Sequence, residues 1–260
     1  MVKNNHTQRY WQYEYDVATA YMVPLLEQWG VALKGAHVLD VGCGEGGGLC
    51  AMHDAGADCA GFDIDRPRVE AATLLKGGRK ISLTTGDLYE TTLPFHDRQF
   101  EIVILHDVFE HLERKDDVLQ QLLGTMKPDG RMLITFPPYY SAYGAHQQLL
   151  RAPFLKIPFF HLIPFSLSLI LPRVKGEEPY FVEEVQKLGR LKMGMRKFER
   201  IVARGGLDIV GKQAYIIGPN HIRFGLKPIP AGVIANVPII GEVVCTGVVY
   251  LLSRALHRHA

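Results

Sequence analysis

At 260 residues, with 47% apolar and 22% charged residues, the chain has ordinary globular composition and enough length for one large domain with a sizeable core. A formal net charge of +2 gives no electrostatic grounds for a polyanionic partner, so nucleic acid is not expected. The first residues, Met1 to His6, lack the apolar run of a signal peptide, and the four cysteines, Cys43, Cys50, Cys59 and Cys245, form no C-x-x-C pair. A reducing cytoplasmic setting follows, and no metal site is expected.

The first element is a helix over residues 9–29, where Tyr10, Trp11, Tyr15, Tyr21, Leu25 and Trp29 recur at helical spacing with one aromatic-rich face. Most of these aromatics read as packing residues, with Tyr15 or Tyr21 available at the mouth of a site. Next, Val38, Leu39 and Val41 read as a short parallel strand buried on both faces. Gly42, Gly44 and Gly46 follow it, so the backbone can turn sharply and approach a ligand with no Cβ in the way, and a helix should start near Gly46 with its free N–H groups facing the loop. Gly42, Gly44 and Gly47 also satisfy the dinucleotide pattern G-x-G-x-x-G. Asp40 separates the two possibilities, because a carboxylate two residues before the first glycine would repel a pyrophosphate.

The run from His37 to Gly47 resembles the first motif of class I S-adenosylmethionine-dependent methyltransferases, approximately hydrophobic-hydrophobic-Asp-x-Gly-x-Gly-x-Gly. Later stretches resemble that family in order. Asp58 to Phe62 predicts a second strand ending at Asp63, Ile81 to Thr84 a third followed by Asp87 and Leu88, and Phe100 to Leu105 a fourth ending at His106-Asp107. Lys127-Pro128-Asp129-Gly130 resembles the family's turn into a fifth strand, Arg131 to Phe136. The resemblance implies that the loop with Cys43 lies under the methionine part of the cofactor while Asp40 holds its ammonium end. It further implies that Asp63 takes the ribose hydroxyls with Ile64 beside it, Asp87 the adenine amino group with Leu88 against the ring, and His106 a backbone contact. The N-terminal helix, residues 1–30, would cover the cofactor, with Tyr15 among its contacts.

Beyond the fifth strand, Pro137-Pro138-Tyr139-Tyr140 lies after the wrong strand, and Phe136 is the wrong first residue, for the base-methylating Asn/Asp-Pro-Pro-Tyr motif. The prolines instead mark the exit into an insertion over 138–185 at the carboxyl edge of the sheet, where ligands bind in open α/β folds. Its apolar centre, Pro153 to Pro172, is interrupted by Lys156, Pro158 and Pro164 and is too short to span a bilayer, which needs about 20 residues. It remains a lid over an apolar substrate, a membrane-contacting element or ordinary core. A basic amphipathic helix is expected over Val182 to Gly205, a sixth strand over 207–217, a second insertion over 218–242 and a seventh strand from Val243 to Leu252.

The expected architecture is therefore a single α/β domain: a Rossmann-like, seven-stranded, mostly parallel sheet with a reversed last hairpin, helices on both faces and an enlarged lid. The expected activity is S-adenosylmethionine-dependent methyl transfer to a small or medium, largely apolar acceptor at oxygen. The alternatives are a membrane-associated enzyme acting on a lipid or quinone precursor and, from other classes, a nucleotide-dependent dehydrogenase or a non-catalytic cofactor-binding protein. Of the titratable candidates, His146 is the preferred base because it shares the insertion with Tyr139, Tyr140 and Tyr143; Asp107, His106 and Tyr143 are the other catalytic candidates. Glu110-His111 reads as fixing the local helix. Nothing in the sequence sets the oligomeric state.

Overall fold

The computed structural model describes residues 5–255. The chain begins with α1 (Asn5–Val17), which passes through a wider turn at Ala18–Met22 into α2 (Val23–Gln28). There follow β1 (His37–Val41), α3 (Gly47–Asp54), β2 (Asp58–Asp63), α4 (Arg66–Leu75) and β3 (Ile81–Thr85). β4 (Phe100–His106), α5 (Lys115–Thr125) and β5 (Met126–Phe136) continue the alternation. After the first insertion come α6 (Pro179–Leu191), α7 (Met195–Arg204), β6 (Leu207–Ile217), the two-residue β7 (Ile229–Pro230), α8 (Ile240–Val244) and β8 (Gly247–Arg254).

All the strands form one sheet in the order β3-β2-β1-β4-β5-β8-β6-β7. The first five pair in parallel, and β8 runs antiparallel to both β5 and β6, which is the reversed hairpin expected from the sequence. The eighth strand, unforeseen, is the two-residue edge pairing Ile229 and Pro230 with β6. The apolar runs of β1 and β4 have no polar alternation because helices cover both faces. On one side Leu26, Leu49 and Met52 pack against Val38, Ile102 and Ile104; on the other, Phe109, Leu119, Phe198 and Tyr250 pack against Leu39, Val103 and Leu105.

Three expectations are corrected. β5 begins at Met126, because the Lys127–Gly130 turn is absorbed as an irregularity opposite Phe100 to Ile102. The last strand starts at Gly247, because Val243 and Val244 close α8 instead. The single helix expected over 182–205 is two: Lys192 takes the left-handed conformation (φ 45°) at the end of α6, and the first N–H groups of α7, on Met195 and Arg196, donate to the carboxylate of Glu242 at 2.9 and 2.8 Å. Gly194 lets the Glu242 carboxylate come close to that junction, since a Cβ there would lie 2.5 Å from Glu242 Oε2 and displace it. A lysine at positive φ is strained, so Lys192→Gly should stabilise the fold by about 0.5–1 kcal/mol. Thermal unfolding should shift up by roughly 1–3 °C; an unchanged or lower midpoint would contradict that strain.

The first insertion forms short turns around a small core of its own, in which Tyr139, Leu150, Leu155, Phe160 and Leu171 meet Val185 and Leu188 of α6. His161 is consumed by this core, its Nε2 donating to the Tyr139 carbonyl at 2.7 Å. A second set of apolar side chains, including Phe154, Ile157, Ile163 and Phe165, points outward, as do Val233, Ile239 and Ile240 of the second insertion. No helix among the described residues is long and apolar enough to cross a membrane.

Candidate active site

The turn from β1 into α3 runs through Gly42, Gly44 and Gly46 at φ 78°, 53° and 79°, a region glycine enters without steric cost. Gly42 and Cys43 donate their N–H groups to the Phe62 carbonyl, which fastens the loop to the end of β2. Asp63 is locked beside it: Oδ2 accepts from Gly44 N at 2.9 Å and Oδ1 from Asp65 N at 2.8 Å. Asp40 is buried under the same loop, and its Oδ1 has no hydrogen-bond partner. Burial, reinforced by the charge of Asp63 and opposed by Arg68, pushes its carboxyl up to about 7. An orphaned carboxylate oxygen beside a glycine turn is suited to a ligand that brings a cation.

Two charged residues that sequence reasoning missed complete this corner. Arg68 of α4 donates from Nε to Glu45 Oε2 at 2.9 Å, and its guanidinium lies within 3.7 Å of Glu14 and 3.9 Å of Asp63. It rests directly on the loop, since a Cβ at Gly44 would fall 2.3 Å from Arg68 Nη2. Glu14 of α1 accepts from Gly47 N at 3.3 Å, capping the start of α3 where the sequence suggested a free N–H. Burial, with Glu45 adding, raises the Glu14 carboxyl well above its usual range. α1 itself presses on the turn so closely that a Cβ at Gly47 would sit 2.2 Å from the Trp11 carbonyl oxygen. Neither residue had a signal in the sequence, where each looks like a solvated helix charge.

The outlying cofactor candidates are distributed around this loop. Leu88 is buried, Asp87 accepts from Tyr89 N at 2.9 Å, and Ile64 is exposed next to Asp63. Tyr15 is turned elsewhere: its hydroxyl donates to Asp54 Oδ2 at 3.0 Å at the far end of α3, and its ring stacks on Trp11. From α1 it is Tyr10 and Tyr13 that reach the neighbouring cavity.

That cavity, of about 550 Å³, opens beyond the carboxyl ends of β4 and β5. Asp107, Tyr143 and His146 line it together, with His111, Asn220, Arg223 and Phe224. The first insertion reaches this wall through residues 141–149, while its apolar centre, with residues 161–168, lines a separate cavity beside Tyr139 and Tyr140. The second insertion does take part, through residues 220–224. Asp107, at φ 53°, accepts from Thr135 Oγ1 at 3.1 Å and from Asn220 Nδ2 at 2.7 Å. Burial works against its charge, but His106, His146 and these two donors hold its carboxyl below the usual range. His106 lies behind the cavity, with Nδ1 2.6 Å from Thr135 Oγ1, and faces the small gap beside Asp40 and Glu14. Burial, with His111 beside it, keeps the His146 imidazole neutral at pH 7.

The family profile described as a methyltransferase domain matches residues 39–134. An uncharacterized methyltransferase of Mycobacteroides abscessus is 30% identical over 119 residues, 45% of this chain and 46% of that protein. A ubiquinone biosynthesis O-methyltransferase of Bordetella avium is 30% identical over 129 residues, 47% of this chain and 53% of that protein. The chain thus spans about half the length of the curated relatives it matches. Among solved structures, an S-adenosylmethionine-dependent methyltransferase from Mesorhizobium loti superposes with a TM-score of 0.55 at 16% identity, covering 89% of this chain and 96% of that one. Magnesium protoporphyrin IX methyltransferase from Synechocystis superposes with a TM-score of 0.54 at 17% identity, covering 98% and 90%. At such identities the likeness establishes the fold. The chain has the Rossmann-like fold of class I methyltransferases, and its residues 39–134 match the family model described as a methyltransferase domain.

Proposed function

We propose that the chain binds S-adenosylmethionine across the loop at Gly42, Gly44 and Gly46 and transfers its methyl group to an oxygen of a small or medium acceptor held in the cavity at Asp107. The observation that carries this is the pairing of two distinct places: an unpartnered buried carboxylate oxygen beside a glycine turn, and a separate chamber lined by proton-accepting groups. Asp40 would hold the ammonium, Asp63 the ribose hydroxyls, and the glycines would admit the cofactor close to the backbone. When bound, the cofactor supplies a sulfonium whose methyl carbon is open to in-line attack. The residues of the chamber hold the acceptor in line, keep water away and take its proton. Asp107 and His146 are the two groups placed to receive that proton.

Tyr10, Tyr13, Tyr143 and Phe224 make the chamber aromatic rather than aliphatic. An aromatic acceptor bearing a hydroxyl suits it, and the relative named as a ubiquinone biosynthesis O-methyltransferase supports the choice of oxygen. Calorimetry with S-adenosylhomocysteine and with NAD tests the cofactor. Binding of the first alone is expected; NAD binding would instead favour a dehydrogenase. Asp63→Asn, which removes one of the paired acceptors, should weaken S-adenosylhomocysteine binding by about 1.5 kcal/mol, roughly tenfold. Unchanged affinity in the folded variant would remove Asp63 from the site.

A second reading, a peripheral membrane enzyme acting on a lipid or quinone precursor, is favoured by the outward apolar side chains of both insertions, including Phe165, Val233 and Ile239. Cosedimentation with anionic phospholipid vesicles, abolished by Phe165→Glu with Ile239→Glu, would support it. A protein that stays in the supernatant would dismiss it.

A further inference from the structure

The two residues that the sequence presented as a local helix contact, Glu110 and His111, meet His146 of the first insertion across 35 positions of chain, and the three side chains turn their free atoms to one point. Glu110 Oε1 lies 3.5 Å from His111 Nε2 and 3.8 Å from His146 Nε2. One ligand atom from each residue lies within 4.8 Å of the other two. We propose that Glu110, His111 and His146 bind a divalent transition-metal ion at the edge of the acceptor chamber. The proposal rests on the methyl-transfer reading for its role, although the ion site itself does not depend on that reading.

Three observations support it. The Glu110 side chain is only 2% exposed, yet neither carboxylate oxygen has a hydrogen-bond partner, and His146 Nε2 is likewise buried and unpartnered. A buried carboxyl and a buried imidazole nitrogen left bare side by side lack the polar partner that buried groups normally have, and a bound cation would supply it to both. Second, His111 is oriented as a ligand. Its Nδ1 faces Glu184 of α6 and its Nε2 faces Glu110, so Nε2 is the nitrogen available to an ion placed between Glu110 and His146. A carboxylate behind a ligating histidine is the usual outer support of such sites. Third, the His146 ring stands perpendicular to that of His111 with centroids 5.2 Å apart, which brings the two imidazoles to the same side of Glu110.

Two imidazoles and one carboxylate suit Zn²⁺, Mn²⁺ or Fe²⁺ and leave coordination positions open. Metal–ligand bonds of about 2.1 Å put neighbouring donor atoms on the order of 3 Å apart, so a small inward movement of these side chains completes the set. The His146 side chain remains 19% exposed on the chamber side, so the open positions face the place assigned to the acceptor. An acceptor hydroxyl bound there would be made more acidic by the ion. With His146 Nε2 engaged as a ligand, Asp107 is left to take the proton.

The test uses the full chain after dialysis against a chelator. Zn²⁺ is titrated by calorimetry and Co²⁺ by its visible ligand-field absorption, with S-adenosylhomocysteine binding measured in parallel. One ion per chain is expected. Glu110→Gln and His146→Gln should each lower its affinity at least about tenfold and alter the Co²⁺ spectrum, and Glu184→Gln should lower it about tenfold. S-adenosylhomocysteine binding should be retained in every variant, showing that each is folded. Absence of stoichiometric Zn²⁺ or Co²⁺ binding, or binding that Glu110→Gln and His146→Gln leave unchanged, overturns the proposal. Intact Zn²⁺ binding without S-adenosylhomocysteine binding would uphold the ion site and remove the methyl-transfer reading.

Discussion

Replacing Asp107 by asparagine is expected to lower turnover about 100-fold or more, the usual cost of losing a positioned proton acceptor, while leaving S-adenosylhomocysteine affinity nearly unchanged. The variant is chosen to keep the fold. Asparagine tolerates the left-handed backbone that Asp107 adopts, and its amide oxygen still accepts from Thr135 Oγ1. What it loses is the negative charge set among His106, His146 and Asn220. The measurement requires an acceptor, which a screen of extracts with radiolabelled methyl donor can supply. Full turnover in the variant would leave orientation and water exclusion, not proton removal, as the chamber's contribution.

S-adenosylhomocysteine should bind more tightly as pH rises toward 7, by up to tenfold per unit and about 50-fold between pH 5 and 7, and then level off. The reasoning is one of linkage. Asp40, held at about 7 in the folded chain, must lose its proton to pair with an ammonium group, so binding releases a proton below that pH. The charged and titratable groups around it are Glu14 from α1, Cys43 of the loop, Asp63 at the end of β2, Arg68 from α4 and His106 at the end of β4. In the unliganded protein the sign is opposite. The stabilisation from a neutral Asp40 is fully present below its unfolded value near 3.9 and is lost as pH rises through about 7. Calorimetry in buffers of different ionisation enthalpy counts the proton, and Asp40→Asn should flatten the profile. A pH-independent affinity in the unaltered protein would place the ammonium elsewhere.

The parallel half of the fold was legible because its signals are local. Val38 to Val41 and Ile102 to Leu105 are apolar on both faces, and the glycines after β1 have no packing use outside a tight turn. The reversed hairpin came through the resemblance. What escaped depends on partners distant in the chain. Nothing near Lys192 announces that Glu242, fifty residues on, will cap a new helix at Met195. The apolar centre of the first insertion reads as a lid, yet half of it is spent on a private core with Tyr139 and α6. In the site, Asp40, Asp63, Asp107 and His146 were accessible because motif position or aromatic company marked them. Arg68 and Glu14 were not, since a helix charge turned inward looks the same in sequence as one turned outward. The metal-ligating potential of Glu110 and His111 emerged only when the insertion delivered His146 beside them.

The first helix has a kinetic meaning that follows from where it touches. Its Trp11 carbonyl sits on Gly47 of the loop, while Tyr10 and Tyr13, on the other side of the same helix, wall the acceptor chamber; the Tyr13 hydroxyl also reaches the Asn220 carbonyl of the second insertion at 3.4 Å. One rigid rod therefore bars two doorways. On the proposed function, a movement of this helix that admitted the methyl donor would also open part of the acceptor's wall. Steady-state kinetics should accordingly show a compulsory sequence in which the donor enters first and its spent form departs last.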